Sequence, residues 1–362
     1  MKKIFCAVLA VILALPAGAA SPSLSARSAV LMTAEGDVLY EKSADEQMPM
    51  ASTTKIMTCL LAAETLDLQQ IVTVTDKSAG TEGSSLYLKA GDRVSVEDLI
   101  YGAMLRSAND AASALAVYAA GSEEAFADMM NEKAGGLGME STHFTNPHGL
   151  PGDEHYTTAR DFALLAAYAM QNETFARIAG TKEYVVTVNG SEKKPVKNHN
   201  RLLFSYDGAC GVKTGFTKDS GRCLVSCAKR DGVTLVCVTL DAPDDWEDHR
   251  TLLDLGFDMC SNKTLCEAGE IEKSYHVFGA GYVRAVNSES IAATVRKGDG
   301  TSYVFYGDRF PALPIYKGDP IGKVRAVSGG RTAGEADMVA AEDVPLPQSK
   351  KLIDRIKEFF GI

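Results

Sequence analysis

Beyond its first twenty residues the chain has no apolar run long enough to cross a bilayer, so no membrane-spanning helix is expected in the body of the protein. Positive charge is in deficit. Lys and Arg number 37 against 47 Asp and Glu, a formal net charge of -10, which argues against nucleic acid as the main partner. There is no C-x-x-C, and the six histidines show no ligand-like spacing, so a zinc site is not indicated. No internal repeat and no low-complexity tract is visible.

What is present is enough for about two domains: 362 residues, 46% of them apolar. The N-terminus reads as a secretory signal peptide over residues 1–20. Lys2 and Lys3 form the basic region, Ile4 to Leu15 the apolar region, Pro16 the break, and Ala17 to Ala20 a small-residue exit, with Ala20 the expected last residue removed. Cys6 leaves with it. Seven cysteines remain (Cys59, Cys210, Cys223, Cys227, Cys237, Cys260 and Cys266), an odd number, so at least one thiol stays free. Their apolar settings read as small buried hydrophobes, with a cross-strand Cys210–Cys227 pair as the open alternative.

Along the chain, "SAVLMTAEGDVLYEKSAD" reads as a hairpin turning at Glu35–Asp37. A helix is expected from Ser52 to Leu66, with Ile56, Leu60, Leu61 and Ala63 at helical spacing. A second helical block, Val96 to Ala120, is interrupted near Ser107–Asp110, and "TARDFALLAAYAM" starts a helix with Thr158 as cap and Asp161 in its first turn. From Lys182 strands dominate, closed by a helix over "DDWEDHRTLLDLGFDMC". This order predicts an antiparallel sheet with helices packed against it, an α+β or three-layer αβα arrangement over residues 21–270. Residues 271–345 read as a small all-β sandwich. Residues 346–362 read as an amphipathic helix. Leu352, Ile353, Ile356, Phe359 and Phe360 form one face, and Lys350, Lys351, Arg355 and Lys357 flank it. Such a helix suits an anionic membrane surface, the alternative being docking on its own protein.

Three short motifs carry chemistry. Ser52-x-x-Lys55 opens the first helix, where i and i+3 share a face. Backbone N–H groups at a helix start are unpaired and electropositive, and a desolvated lysine near other cations loses its proton readily. That combination makes a nucleophile and its base; a capping serine and a solvated lysine have the same spacing. Ser191 and Lys194 repeat the spacing in what reads as a polar loop, where it means nothing. Ser107-Ala108-Asn109 sits in the break of the second block, and Lys213-Thr214-Gly215 lies on a strand where Gly215 permits close backbone approach. In this order, each in a fitting setting, the three form a specific signature.

With "NPHGL", "YTTARD" and "GVKTGFT", these motifs make the chain resemble the low-molecular-weight penicillin-binding proteins, the serine D-alanyl-D-alanine carboxypeptidases, over nearly its whole length. The resemblance implies a five-stranded sheet with helices on both faces and a site between the sheet edge and a helical subdomain. It implies Ser52 as the acylated nucleophile, Lys55 as base, and Ser107 with Lys213 as the proton route to departing D-alanine. Asn109 would hold the substrate amide, Thr214 with Lys213 would bind the terminal carboxylate, and the N–H groups of Ser52 and Phe216 would form the oxyanion hole. No metal or organic cofactor is implied. The partners are a peptidoglycan stem peptide ending in D-Ala-D-Ala, β-lactam antibiotics as acylating inhibitors, and, through the terminal helix, the outer face of the cytoplasmic membrane. His148 is expected to order a loop, Arg160 and Asp161 to make helix-start contacts, and His199 to be a candidate for the cleft wall. The family often has an arginine before the helix after the last strand, where this chain has Asp244 and Asp245. A class A β-lactamase would need a Glu-x-x-Leu-Asn pattern, which is lacking; an endopeptidase or a scaffold without turnover would use the same motif residues.

Overall fold

A computed structural model describes residues 22–277, 280–307 and 312–346. The leader and nearly all of the terminal helix expected from the sequence lie outside the described residues. No helix among those described is long and apolar enough to cross a membrane.

The chain runs β1 (Ser28–Thr33), β2 (Val38–Lys42), a 3₁₀ turn (Ala51–Thr54), α1 (Lys55–Thr65), β3 (Ile71–Thr73), β4 (Arg93–Ser95), α2 (Val96–Leu105), α3 (Asn109–Ala120), α4 (Glu123–Gly136), α5 (Ala159–Ala169) and α6 (Glu173–Ala179). It continues through β5 (Glu183–Val188), β6 (Glu192–Lys197), α7 (Leu202–Ser205), β7 (Ala209–Thr217), β8 (Gly221–Arg230), β9 (Val233–Leu240), α8 (Asp245–Met259) and β10 (Cys260–Cys266). The last part holds β11 (Glu272–Val277), β12 (Gly281–Asn287), β13 (Ile291–Arg296), β14 (Thr301–Tyr306), β15 (Pro320–Ser328) and β16 (Arg331–Ala340).

The main sheet is antiparallel with order β2-β1-β9-β8-β7. All six residues of β1 are buried and β9 is apolar almost throughout, because both faces of these central strands are covered. One face packs on the core shared with α1 and α5, which includes Val30, Met32, Cys223, Val225, Val236 and Val238. The other meets α8 through Leu31, Leu235, Leu252 and Leu253. His249 of α8 is fully buried between Ser226 Oγ at 2.5 Å and Thr239 Oγ1 at 2.9 Å. Burial pushes its imidazole down to about 3, so it stays neutral. β7 is an edge strand of this sheet.

The helix starts follow local capping chemistry. Ser95, Ser122 and Thr158 each accept a hydrogen bond from the N–H three residues on. Asp161 sits in the first turn of α5 and also accepts from Ser141 N and Thr142 Oγ1. Arg160 pairs with Asp45 and Glu41, and so ties α5 to the hairpin side.

Three expectations need correction. Ser52 is not the first residue of an α-helix: it lies on the 3₁₀ turn, and α1 begins at Lys55. The run "KEYVVTV" does not join the main sheet; β5 pairs with β4 and β6 in a separate sheet of order β3-β4-β5-β6. The second Ser-x-x-Lys is not a loop: Glu192 to Lys194 open β6, and Lys194 pairs with Glu192. As for the alternative Cys210–Cys227 pair, both thiols are free, as are the other cysteines described.

The C-terminal part is β-rich. It contains a five-stranded sheet of order β11-β12-β16-β15-β14 and a two-stranded sheet β10-β13, around a core that includes Val283, Ile291, Val324 and Met338. Arg331 pairs with Asp37, and Arg296 donates to the Val38 carbonyl, so the β1–β2 hairpin contacts this part of the chain.

Candidate active site

An open cleft of about 1580 Å³ lies along β7. Ser52, Ser107, Thr214, Gly215 and Phe216 line it, and His199 does too. Lys55, Asn109 and Lys213 lie behind that surface, each 4% exposed or less.

The 3₁₀ turn lifts Ser52 ahead of α1, while Ile56, Leu60 and Leu61 are buried and anchor the helix. Lys55 Nζ lies 3.0 Å from Ser52 Oγ, 2.7 Å from Asn109 Oδ1 and 2.5 Å from the His148 carbonyl. The last two partners are carbonyl oxygens, which only accept. A neutral amine has two N–H bonds and one lone pair. Donating to both carbonyls uses both hydrogens and leaves the lone pair toward the serine hydroxyl. Burial, and then the charge of Lys213, lowers the Lys55 ammonium well below the usual lysine range, which favours that neutral form.

Asn109 is the first residue of α3. Its Nδ2 donates to the Glu82 carbonyl, so the amide's orientation, with Oδ1 toward Lys55, is fixed by its own hydrogen bonds. Ser107 occupies the break between α2 and α3 with φ +62°, a left-handed conformation costly for a residue with a Cβ. Asp110 holds the facing loop by accepting from Ser85 Oγ and from the N–H groups of Leu86 and Leu88.

Lys213 is 1% exposed, donates to the Thr214 carbonyl at 2.9 Å, and is pushed down to about 7 by burial. Gly215 lies where a side chain would be crowded. A Cβ there would stand 3.1 Å from Ser52 N, Met50 O and Ala51 Cβ, so strand β7 passes directly against the turn that carries the serine. Gly149, with φ +88°, lies closer still to that turn, since a Cβ would meet the Ala51 carbonyl at 1.9 Å.

The structure thus brings Ser52, Lys55 and Asn109 into hydrogen-bond contact and sets Ser107, Thr214, Gly215 and Phe216 on one cleft. His148 orders its loop as expected, with Nε2 3.4 Å from Glu123, but its backbone carbonyl also reaches Lys55. No side-chain motif signals a backbone acceptor of this kind. His155 went unread as well; it touches Thr54 Oγ1 at 2.8 Å, and burial pushes it down to about 3. Arg222, at the start of β8, lines the cleft and is bound by Asp245. No sequence motif singled it out. Among the described residues no cluster could hold a metal ion.

A family model described as D-alanyl-D-alanine carboxypeptidase, Peptidase S11, matches residues 16–244. D-alanyl-D-alanine carboxypeptidase DacF of Bacillus subtilis is 33% identical over 88% of this chain and 86% of its own. D-alanyl-D-alanine carboxypeptidase DacC of Escherichia coli is 35% identical over 90% of this chain and 85% of its own. Among solved structures, penicillin binding protein 5 from Haemophilus influenzae superposes with a TM-score of 0.72 at 28% identity, covering 91% of this chain and all of that one.

Proposed function

The chain belongs to the S11 family of D-alanyl-D-alanine carboxypeptidases, and from that premise we propose that Ser52 is its nucleophile and Lys55 its general base. The protein is a serine-type D-Ala-D-Ala carboxypeptidase, a penicillin-binding protein acting on peptidoglycan. The observation that carries the residue assignment is the environment of Lys55 Nζ, whose two carbonyl partners leave its lone pair for Ser52.

In this reading Lys55 takes the hydroxyl proton as Ser52 Oγ attacks the carbonyl carbon of the penultimate D-alanine. The N–H groups of Ser52 and Phe216 receive the oxyanion. The C–N bond breaks, and the proton reaches the departing amine through Ser107 and Lys213, leaving an ester on Ser52. Water, deprotonated by Lys55, hydrolyses that ester. Asn109 holds the substrate amide, and Thr214 with Lys213 takes the terminal carboxylate. A β-lactam enters by the same attack.

The leader over residues 1–20 supports export. The basic amphipathic segment 346–362 supports peripheral attachment to the outer face of the cytoplasmic membrane. Incubation with a stem pentapeptide should release D-alanine, and Ser52→Ala should release none; equal release by the variant would sink the assignment. Liposome sedimentation of the full chain and of a chain ending at Val344 tests the anchor, and equal binding removes it.

A further inference from the structure

The two carbonyl oxygens that accept from Lys55 come from different parts of the chain. Asn109 Oδ1 belongs to α3, and the His148 carbonyl to the loop between α4 and α5. The lone pair stays aimed at Ser52 only while both oxygens keep their places, since an amine with one acceptor is free to rotate about its Cε–Nζ bond. Whatever holds each oxygen therefore bears on the base.

The loop is shaped from within. Asn146 Oδ1 accepts from His148 N at 3.2 Å and from Gly149 N at 2.7 Å, and Asn146 Nδ2 donates to the Leu150 carbonyl at 3.0 Å. Thr58 Oγ1 donates to the Pro147 carbonyl at 2.6 Å and ties the loop to α1. At residue 148 itself, the tie to the α3–α4 layer is the imidazole. Leu150 N donates to its Nδ1 at 3.3 Å, which places the proton of a neutral ring on Nε2. Nε2 stands 3.4 Å from Glu123 Oε2, in the first turn of α4. Glu123 also accepts from Ser113 of α3. Burial opposes its ionisation, but the hydrogen bonds from His148 and Ser113 outweigh that and hold the carboxyl below the usual glutamate range.

The path then returns to the base. Ser113 Oγ lies 3.2 Å from Thr81 Oγ1, and the next residue, Glu82, offers the carbonyl that accepts from Asn109 Nδ2. Lys55, Asn109, the Thr81–Glu82 segment, Ser113, Glu123 and His148 thus form one closed circuit. Ser113 is fully buried, and the His148 side chain is 8% exposed. A surface ion pair that merely joined α4 to a loop would need no buried serine on the far side of its carboxylate.

We propose that Glu123 is a positioning residue for the reaction: it closes this circuit, fixes the His148 carbonyl relative to Asn109 Oδ1, and so keeps the Lys55 lone pair on Ser52. This rests on the reading of Lys55 as general base. Glu123 does not line the cleft and acts through His148.

The test measures D-alanine release from a stem pentapeptide by the wild type, Glu123→Ala, Glu123→Gln and Ser113→Ala, with thermal melts alongside. Each rate is normalised to the sites that a fluorescent penicillin labels at completion. Lys55 serves both acylation and deacylation, so slowing both together leaves KM in place. Glu123→Ala should lower kcat per labelled site by about 10–100-fold, with KM within about twofold of the wild type. Glu123→Gln keeps a carbonyl oxygen for the Nε2 proton and should stay within about fivefold of the wild-type kcat. Ser113→Ala removes one of the two donors to Glu123 and should fall between them. A plain structural latch would lower the melting temperature and the number of labelled sites and leave kcat per labelled site unchanged; that result overturns the proposal. So does a loss in Glu123→Gln as large as in Glu123→Ala, because the charge rather than the held carbonyl would then matter. If Glu123→Ala does not fold, an unchanged kcat in Ser113→Ala overturns it. No D-alanine release by the wild type, or full turnover by Lys55→Met, would be a different failure, that of the reading beneath, and would take this proposal with it.

Discussion

Asn109→Asp tests the proton logic of the site with almost no change in shape. The substitution places a carboxylate oxygen where Oδ1 now stands, 2.7 Å from Lys55 Nζ. At that separation, in an effective dielectric of ~20, the attraction for an ammonium is about 6 kcal/mol, equivalent to about 4 pH units. Burial opposes ionisation of the new acid, and the Glu82 carbonyl, which loses its donor, favours keeping a proton on it. Halving the figure for these effects leaves a rise of about 2 pH units in the Lys55 titration. A raised lysine holds its proton to higher pH, so at any pH below its titration less of it is available as a base. The acylation rate with a fluorescent penicillin, followed from pH 5 to pH 10, should show its acid limb displaced upward by about 2 units, with a fall of up to about 100-fold on that limb. Loss of the amide contact alone would lower the plateau and leave the limb in place. That outcome would show that the group titrating in acylation is not Lys55 and would refute the reasoning.

Further outcomes follow from neighbouring features. Lys213 is protonated below about 7 in the folded state and below its ordinary lysine range when unfolded, so between those limits the unfolded chain binds more protons and stability rises with pH. Lys213→Met should therefore raise the melting temperature most at pH 6, with the gain shrinking toward pH 10; a constant gain would contradict the lowered value. Gly149→Ala drives a methyl into the Ala51 carbonyl at a left-handed position, and penicillin labelling of Ser52 should be lost even if the chain folds. Asp110→Ala leaves Ser85 Oγ and the N–H groups of Leu86 and Leu88 without their acceptor, and a denaturant titration should read a loss of about 3–5 kcal/mol.

The three motifs were legible because each couples a residue type to a local setting. The break at Ser107 is visible in its turn-favouring neighbours, and α2 and α3 do separate there. The 3₁₀ turn was not legible: strand β7 and Gly149 pack against residues 50–54, and such non-local contacts leave no mark in the local sequence. Strands β3 and β4 are three residues each, too short for a period to register. β5 and β7 belong to different sheets, and pairing partners are not written in a single strand. The Lys55 environment was half legible. Asn109 could be named, but the His148 carbonyl is a backbone atom whose position depends on a loop some ninety residues away.

The order of the main sheet sets a condition on when the enzyme can exist. β1 lies between β2 and β9, and β9 between β1 and β8, so within the main sheet residues 28–42 reach the strand bearing Lys213 through residues 233–240 and then β8. A chain still emerging, or one cut before Val233, holds Ser52, Lys55, Ser107 and Lys213 in full but lacks the strand that joins the β1–β2 pair to the β7–β8 pair. Closure of a contact between positions so distant is intrinsically slow. The residues of the candidate site are thus complete as sequence before the sheet that carries them is complete as structure.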